Sequence, residues 1–500
     1  MTKKKAIVIG AGVGGITTAS LLARKGYSVN LYEKNAFPGG RCGALVKDGH
    51  RFDLGATLLM MPDTYKSIFA SIGKDLHQEL DLIRMEPIYK IKFHGGKELV
   101  FTCDMARMKE QLESIEPGSF TRFLSFMDES YTTLKLSMAK IIERNYYNAL
   151  EFFNIKNVLL FAKIKAFNNH YRYTAKFFKS DILKAAFTLQ NIYVGQNPFR
   201  APAVFEILPF QELTEGVFFP KGGMSQIVNS LVKAAEENGV SIQYNSPVKR
   251  MDANKKAIRG VILENGEFVP ADLVICNADV PYVYRELLPE GNQGKRINRM
   301  KFACSAIVFH WGLDKKYDNL EQHTVFVSKD YREGINEIFG QGRMLTDPSF
   351  YVHSPVQKDP SAAPEGQDSM TVIVPAAHLD KEERMDTESM RDQVRKIVLD
   401  RFASEGISDL KEHIKFEICF TQHNWKKILN VTHGAMFGSL DHNIFQMGYM
   451  RPHNRHNKYR NLFFVGGSTH PGNGVPMSLI SAKLTSEKVL HYYGSHENWK

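Results

Sequence analysis

Lys5-Ala-Ile-Val-Ile-Gly10-Ala-Gly12-Val-Gly14-Gly15-Ile16 stands near the head of the chain, and Leu31-Tyr32-Glu33 closes the next apolar run. The residues before Gly10 read as a buried strand, Gly10-x-Gly12-x-x-Gly15 as a tight turn, and Ile16 to Arg24 as the first helix. Small residues are required in such a turn because the backbone must approach a pyrophosphate, held by the free N–H groups and dipole of the helix N-terminus. Glu33 falls at the spacing where a carboxylate accepts from an adenosine ribose hydroxyl. Strand, turn, helix and acid in this order predict a Rossmann-type dinucleotide site.

Working outward, two more glycine clusters follow, Pro38-Gly39-Gly40-Arg41-Cys42-Gly43 and Phe52-Asp53-Leu54-Gly55-Ala56-Thr57. Such density points to backbone pressed against a ligand. The opening texture returns near the end, where Asn461-Leu-Phe-Phe-Val465 leads through Gly466-Gly467-Ser468-Thr469-His470-Pro471-Gly472-Asn473-Gly474 into a helix from about Met477 to Tyr492. A second helix N-terminus there can aim its positive end at a ring that gains electrons on reduction.

Between these ends the pattern changes twice. Residues 104–195 carry helical periodicity rich in aromatics and lysine. Seven basic residues from Lys156 to Lys184 stand against Asp181 alone, a net of +6, interleaved with Phe152, Phe153, Leu159, Leu160, Phe161, Phe167 and Phe177. Basic heads on apolar bodies suit a helix lying on a lipid surface, and a solvated cap face is the plainer alternative. The apolar fraction is too high for a groove that tracks nucleic-acid phosphates. Residues 216–280 return to strands and turns, and 300–350 alternate like an antiparallel sheet, with Ala306 to Gly312 its clearest strand. Ser354 to Asp368 reads as one long surface loop.

With 500 residues and 43% hydrophobic content, two intertwined domains are expected. The fold class is α/β: a Rossmann-type dinucleotide domain (1–85, 216–300 and 436–500) interleaved with an α+β substrate domain (86–215, a helical cap, and 301–435, an antiparallel sheet). Five scattered cysteines without CxxC spacing argue for a reducing compartment. No window is long and apolar enough for a transmembrane span, so the chain is expected in the cytoplasm, peripheral to the membrane. His453-Asn-Arg-His456 has a metal-like spacing but no third ligand, and no metal is expected.

The set of Gly10 to Gly15, Glu33, Gly39-Gly40-Arg41 and the C-terminal glycine-rich turn resembles the flavoproteins that include amine and protoporphyrinogen oxidases. Phe219-Pro220-Lys221-Gly222-Gly223-Met224, Asn277-Ala278-Asp279, Asp359-Pro360-Ser361 and Thr469-His470-Pro471-Gly472 narrow the resemblance to the bacterial and fungal carotenoid (phytoene) desaturases. Two positions depart from that pattern: Asn473, where a small residue is usual, and Ala56, where proline is common.

The resemblance implies FAD. Gly10, Gly12, Val13, Gly14 and Gly15 would meet the pyrophosphate, Glu33 and Lys34 the ribose, and Gly40 and Arg41 the phosphates or ring. Thr57 and Leu58 would lie near the isoalloxazine and Val248 by the adenine. Asn277, Gly467, Ser468, Gly474, Val475, Pro476 and Met477 complete the implied set, the C-terminal turn facing the ring. It also implies an acyclic C30 or C40 polyene as substrate, dissolved in a membrane and desaturated by hydride transfer to flavin. A single dinucleotide fingerprint leaves oxygen or a quinone as the expected electron acceptor. Asp53, Asp279 and His470 are the candidate bases, each with a plainer role in fixing a turn. An amine or porphyrinogen oxidase, and a non-enzymatic carrier of prenyl lipids with the same architecture, are the competing readings.

Overall fold

The computed structural model describes residues 3–289, 294–297, 299–340, 345–379 and 387–494. Its first layer is a five-stranded parallel sheet in the order Leu462–Phe464, Leu273–Cys276, Lys5–Ile9, Ser28–Tyr32, Ser241–Gln243. Strands drawn from opposite ends of the chain thus lie side by side. Lys5–Ile9, Leu273–Cys276 and Leu462–Phe464 are near-continuous apolar runs because both faces are covered, whereas Ser241–Gln243 is a half-exposed edge. Val13–Arg24, Ser225–Glu237 and Val475–Tyr493 pack together on one face. A three-stranded antiparallel sheet, Val248–Ala253, Ile258–Leu263 and Phe268–Pro270, closes the other through Ile7, Ile9, Val261 and Val274.

The second layer is a seven-stranded sheet in the order Ile414–Phe420, Ser305–Leu313, Asp368–Ala376, Phe350–His353, His323–Phe326, Tyr89–Lys92, Glu98–Phe101. All its pairs are antiparallel except that of His323–Phe326 with Tyr89–Lys92. Every residue of Ser305–Leu313 is buried, and the period of two sorts them. Ile307, Phe309 and Trp311 pack with Val394, Val398 and Phe402 of the helix Thr387–Ser404, whereas Ala306 and Val308 face Trp425 and Met436. Helices Met105–Ile115, Ser119–Ser137 and Ile207–Glu215 form the cap.

Some sequence expectations need correction. The first helix begins at Val13 and the last at Val475, so Gly14, Gly15 and Pro476 lie inside them. Proline fits a first turn, where its missing N–H has no partner to lose. Past residue 148 the long helical pattern breaks into short pieces, because Asn148, Asn154 and Asn169 each accept from the N–H three residues on and start a new turn. Residues 354–368 are only partly a surface loop: Lys358, Pro360, Ser361, Glu365 and Gly366 are exposed, but the rest turns inward. Asp359 is fully buried, accepting from Arg51 Nη2 at 2.6 Å and Gly222 N at 2.8 Å, and Val356, Ala362 and Ala363 form a small core of their own.

Candidate functional site

One cavity of about 600 Å³ runs from the Gly10–Gly15 turn to the helical cap. Gly10 has φ +97° and donates its N–H to Tyr32 O at 2.8 Å. A Cβ on Gly12 would lie 2.4 Å from Asn277 Oδ1, and one on Gly15 would lie 2.2 Å from Gly10 O. These glycines therefore act differently. Gly10, Gly12 and Gly14 line the cavity with Val13, whereas Gly15 does not reach it and lets the helix close on its own strand. Asn277, a cavity residue, donates to Val465 O at 3.0 Å and ties the turn to the last strand.

Glu33 is buried beside the turn, accepting from Ala11 N at 2.8 Å and Asn35 N at 2.9 Å. Lys34 also borders the cavity, but its ammonium is held by Lys427 O and Asn430 Oδ1, both at 2.8 Å, at the end of the helix Gln422–Leu429. Val248 lies nearby at the start of its strand. Gly40 and Arg41 line the middle of the cavity, and Arg41 Nε is buried without a hydrogen-bond partner among the described residues. Burial lowers the Arg41 pKa, and the charge of Asp279 opposes that shift.

Thr57 and Leu58 stand further along. Thr57 Oγ1 is 2.8 Å from Tyr351 Oη, which is 2.6 Å from His323 Nδ1. Across from them the C-terminal turn brings Gly467, Ser468, Gly474, Val475, Pro476 and Met477 to the cavity. Ser468 Oγ accepts from Val280 N at 2.9 Å. Asn473 explains its own departure from pattern. Its amide nitrogen donates to Val194 O at 3.3 Å and to Phe437 O, and its N–H donates to His442 Nε2 at 3.2 Å, stitching the turn to the cap.

The candidate bases separate. Asp53 lies outside the cavity lining, accepting from Met224 N at 2.8 Å, and burial raises its pKa to about 7. Asp279 does reach the cavity, but it accepts from Thr432 N at 3.1 Å, and burial raises its pKa against the pull of Ser439 and Arg41. His470 lines the wall with Nε2 3.1 Å from Arg144 O, its pKa pushed down to about 3 by burial. His456, of the metal-like pair, uses Nδ1 to accept from Lys458 N and Tyr459 N, both at 3.0 Å.

Sequence reading missed a polar cluster at the cap. Tyr193 Oη donates to Glu212 Oε1 at 2.7 Å and Tyr89 Oη to Glu212 Oε2 at 2.7 Å, while Gln190 Nε2 donates to Tyr89 Oη at 2.8 Å. The two phenols line the cavity, and Glu212 is completely buried behind them. Glu212 stands four residues after Leu208, a cavity residue, so an acid on the apolar stripe of Ile207–Glu215 was the readable signal.

Residues 13–490 match the family described as flavin containing amine oxidoreductase. The chain belongs to this family. Among relatives of this flavoprotein, the zeta-carotene-forming phytoene desaturase of Myxococcus xanthus is 37% identical, the match covering 97% of this chain and 94% of the relative. The phytoene desaturase of Phycomyces blakesleeanus is 36% identical (98% and 86% covered), and the 4,4'-diapophytoene desaturase (4,4'-diaponeurosporene-forming) of Staphylococcus aureus strain Newman is 34% identical (97% and 98%). Putrescine oxidase shares the flavoprotein's fold, with a TM-score of 0.63 at 13% identity over 98% of this chain and 99% of that one. So does RAB GDI of Plasmodium falciparum, at 0.54, 12%, 99% and 98%.

The family is flavin-containing, and a flavin held on a dinucleotide turn is FAD. The cavity residues suit it: glycines leave the turn bare of side chains, and the unpartnered Arg41 Nε needs an acceptor that a buried anionic group supplies.

Proposed function

We propose that this chain is an FAD-dependent carotenoid desaturase that introduces C=C bonds into an acyclic C30 or C40 polyene. The observation that carries this reading is the continuity of the cavity from the dinucleotide turn into a mostly apolar chamber, where Met60, Met138, Ile141, Ile192 and Leu208 form walls suited to a hydrocarbon. The relatives' names, all phytoene or diapophytoene desaturases at 34–37% identity, support the same substrate class.

In this reading residues 1–85, 216–300 and 436–500 hold FAD. The turn of Gly10, Gly12, Val13 and Gly14 takes the pyrophosphate, with Gly15 closing the helix behind it. Glu33 takes the ribose, with Lys34 beside it, Val248 the adenine side, and Gly40 and Arg41 the phosphates. Thr57, Leu58 and the turn from Gly467 and Ser468 to Met477 flank the ring, and Asn277 braces the glycines. Bound FAD supplies a two-electron hydride acceptor. The protein's part is to lay one polyene bond against that acceptor, keep water out, and receive the second hydrogen as a proton. Oxygen or a quinone then takes the electrons.

The polyene enters from a membrane surface. No residue of the helix Ile155–Lys163 is buried, and Leu150, Ile155, Leu159 and Phe445 are 79%, 80%, 67% and 75% exposed, with Lys156 and Lys163 among them. Apolar side chains flanked by lysines suit an anionic lipid surface. The patch adjoins the cavity, since Phe152 packs on Tyr449 beside the cavity residues Met447 and Gly448. Among the described residues no helix is long and apolar enough to cross a membrane, which leaves surface attachment as the proposed mode.

The test is an anaerobic single turnover with acyclic carotenes in liposomes. Flavin bleaching matched by a product two hydrogens lighter is the expected result. A flavin that bleaches with amines or porphyrinogens and with no polyene would overturn the reading.

A further inference from the structure

Desaturation releases two hydrogens unequally, and the proton acceptor is the unassigned part of the site. One leaves with its electron pair to the flavin, the oxidant that this family supplies. The other leaves the neighbouring carbon as a proton, its C–H electron pair becoming the second bond of the new C=C. In an apolar chamber that proton needs a specific oxygen or nitrogen. Asp53 does not border the cavity, Asp279 accepts from Thr432 N within reach of the Arg41 charge, and His470 Nε2 is turned to Arg144 O.

We propose that Tyr193 and Glu212 form the proton acceptor of the desaturation, an inference that rests on the reading above. The phenol oxygen of Tyr193 takes the proton from carbon as its own O–H proton crosses to Glu212 Oε1. One C–H and one O–H bond break, two O–H bonds form, and the carboxylate ends neutral.

Three observations carry this. The first is position. Val194, the residue after Tyr193, receives the amide of Asn473 from the C-terminal turn, and Tyr193 Oη lies 3.9 Å from Met60 Sδ, three residues beyond Thr57. Tyr193 therefore stands between the two segments that flank the ring. The second is connection, since Tyr193 Oη donates its one O–H to Glu212 Oε1 at 2.7 Å and accepts from no described residue, which leaves the oxygen able to take a proton.

The third is the cost of the carboxylate itself. Glu212 is completely buried, and no basic side chain among the described residues bonds or bridges to it. A buried acid without a cation is expensive to keep and points to function. Its partners are Tyr89 from the sheet, Tyr193 and Gln190 from the cap, and the Cys103 thiol at its backbone carbonyl. On its own helix stand Glu215 and, preceding it, Glu206, the latter bonded to Lys165. Burial raises the Glu212 pKa to about 7, against the hydrogen bonds of Tyr89, Tyr193 and Gln190, so the carboxylate is present at and above neutrality. Tyr193 itself stays a neutral phenol, its pKa raised well above 10 by burial and by Glu212. Glu212 touches no substrate and acts through Tyr193, as a positioning and accepting residue.

The experiment uses the FAD-loaded full chain, anaerobic, with the most reactive acyclic carotene in liposomes. Tyr193→Phe and Glu212→Gln should each slow the single turnover by about 10²–10⁴-fold, the range of general-base catalysis, with substrate affinity and flavin content unchanged. Glu212→Asp should recover part of the rate. The wild-type rate should rise with pH through one ionisation near neutrality, and the Glu212→Gln rate should not. Independently of turnover, the difference between the infrared spectra of the resting wild type and Glu212→Gln should show one protonated-carboxyl component that titrates over the same range, beside those of Asp53 and Asp368, which both proteins keep. Tyr193→Phe and Glu212→Gln within threefold of wild type with an unaltered pH profile would overturn the relay. If the wild type reacts with no polyene at all, the desaturase reading itself falls, and the relay with it.

Discussion

The Arg451 guanidinium, sealed from solvent, donates Nη2 to Asn473 Oδ1 at 3.2 Å. The same group donates to Gly467 O at 2.6 Å, Thr469 O at 3.0 Å and Gln446 O at 3.2 Å. One planar fork thus fixes both ends of the C-terminal turn. Burial lowers its pKa to about 10, which leaves it charged at neutrality. Arg451→Lys keeps a charge but cannot span these acceptors. With charge-assisted hydrogen bonds worth ~1.5–3 kcal/mol each, the variant should lose about 3 kcal/mol and release flavin. Urea melts and flavin absorbance of the purified variant measure both.

Asn473→Ala leaves Val194 O and Phe437 O without their donor and removes one acceptor from Arg451. The expected cost is about 2 kcal/mol. Because Asn473 joins the turn to the cap, flavin should also dissociate faster, as followed by recovery of flavin fluorescence on dilution.

Gly15→Ala sets a methyl group 2.2 Å from the Gly10 carbonyl, a backbone atom that cannot swing aside. The chain should purify without flavin. Gly26→Ala is the control: its Cβ meets nothing within 4 Å, and its φ of +87° costs ~1–2 kcal/mol of stability without touching the site. Equal flavin content in the two variants would contradict the packing role of Gly15.

Two buried groups give pH dependence of opposite sign. His310 lies between Phe52 and Phe420 with its pKa pushed down to about 3 by burial. The unfolded chain binds this proton near pH 6.5, so the stability from His310 is complete above that and is lost as pH falls towards 3. His310→Phe should therefore soften the loss between pH 7 and 5 by about 2 kcal/mol. Asp53, raised to about 7, holds its proton longer when folded, so its contribution is complete below about 4 and is lost as pH rises through 7. Asp53→Asn should flatten that alkaline decline. Urea midpoints at pH 4, 5, 7 and 8 read both.

The apolar patch gives a prediction about partitioning. Ile155→Glu with Leu159→Glu changes two exposed side chains, so the melting temperature should hold. Burying such side chains is worth ~1.5–3 kcal/mol each, so binding to anionic vesicles should fall more than tenfold in flotation assays. Unchanged flotation would remove the patch from the proposed membrane surface.

The nucleotide half was legible because its signals are local. The strand Lys5–Ile9, the turn and Glu33 lie within about 30 residues, and each residue type there answers one steric or electrostatic demand. Of the nineteen residues implied for FAD, only Gly15 stands back from the cavity. The catalytic side was not legible, because Tyr89, Tyr193 and Glu212 come from three distant segments and meet only through the fold. Asp359 misled for a related reason. Polar, proline-rich sequence looks exposed, yet Arg51 and Gly222 N pull that segment inward.

The strand order of the parallel sheet has a consequence for synthesis. Lys5–Ile9 leaves the ribosome first, but its sheet is complete only when Leu462–Phe464 pairs with Leu273–Cys276. Until then the nascent Gly10–Gly15 turn has no C-terminal wall opposite it. Cofactor loading must therefore follow translation through Phe464, and until then the growing polypeptide carries an unfinished, apolar-edged sheet. Flavin supply and holding chaperones should thus govern the yield of this protein in a cell more than its final stability does.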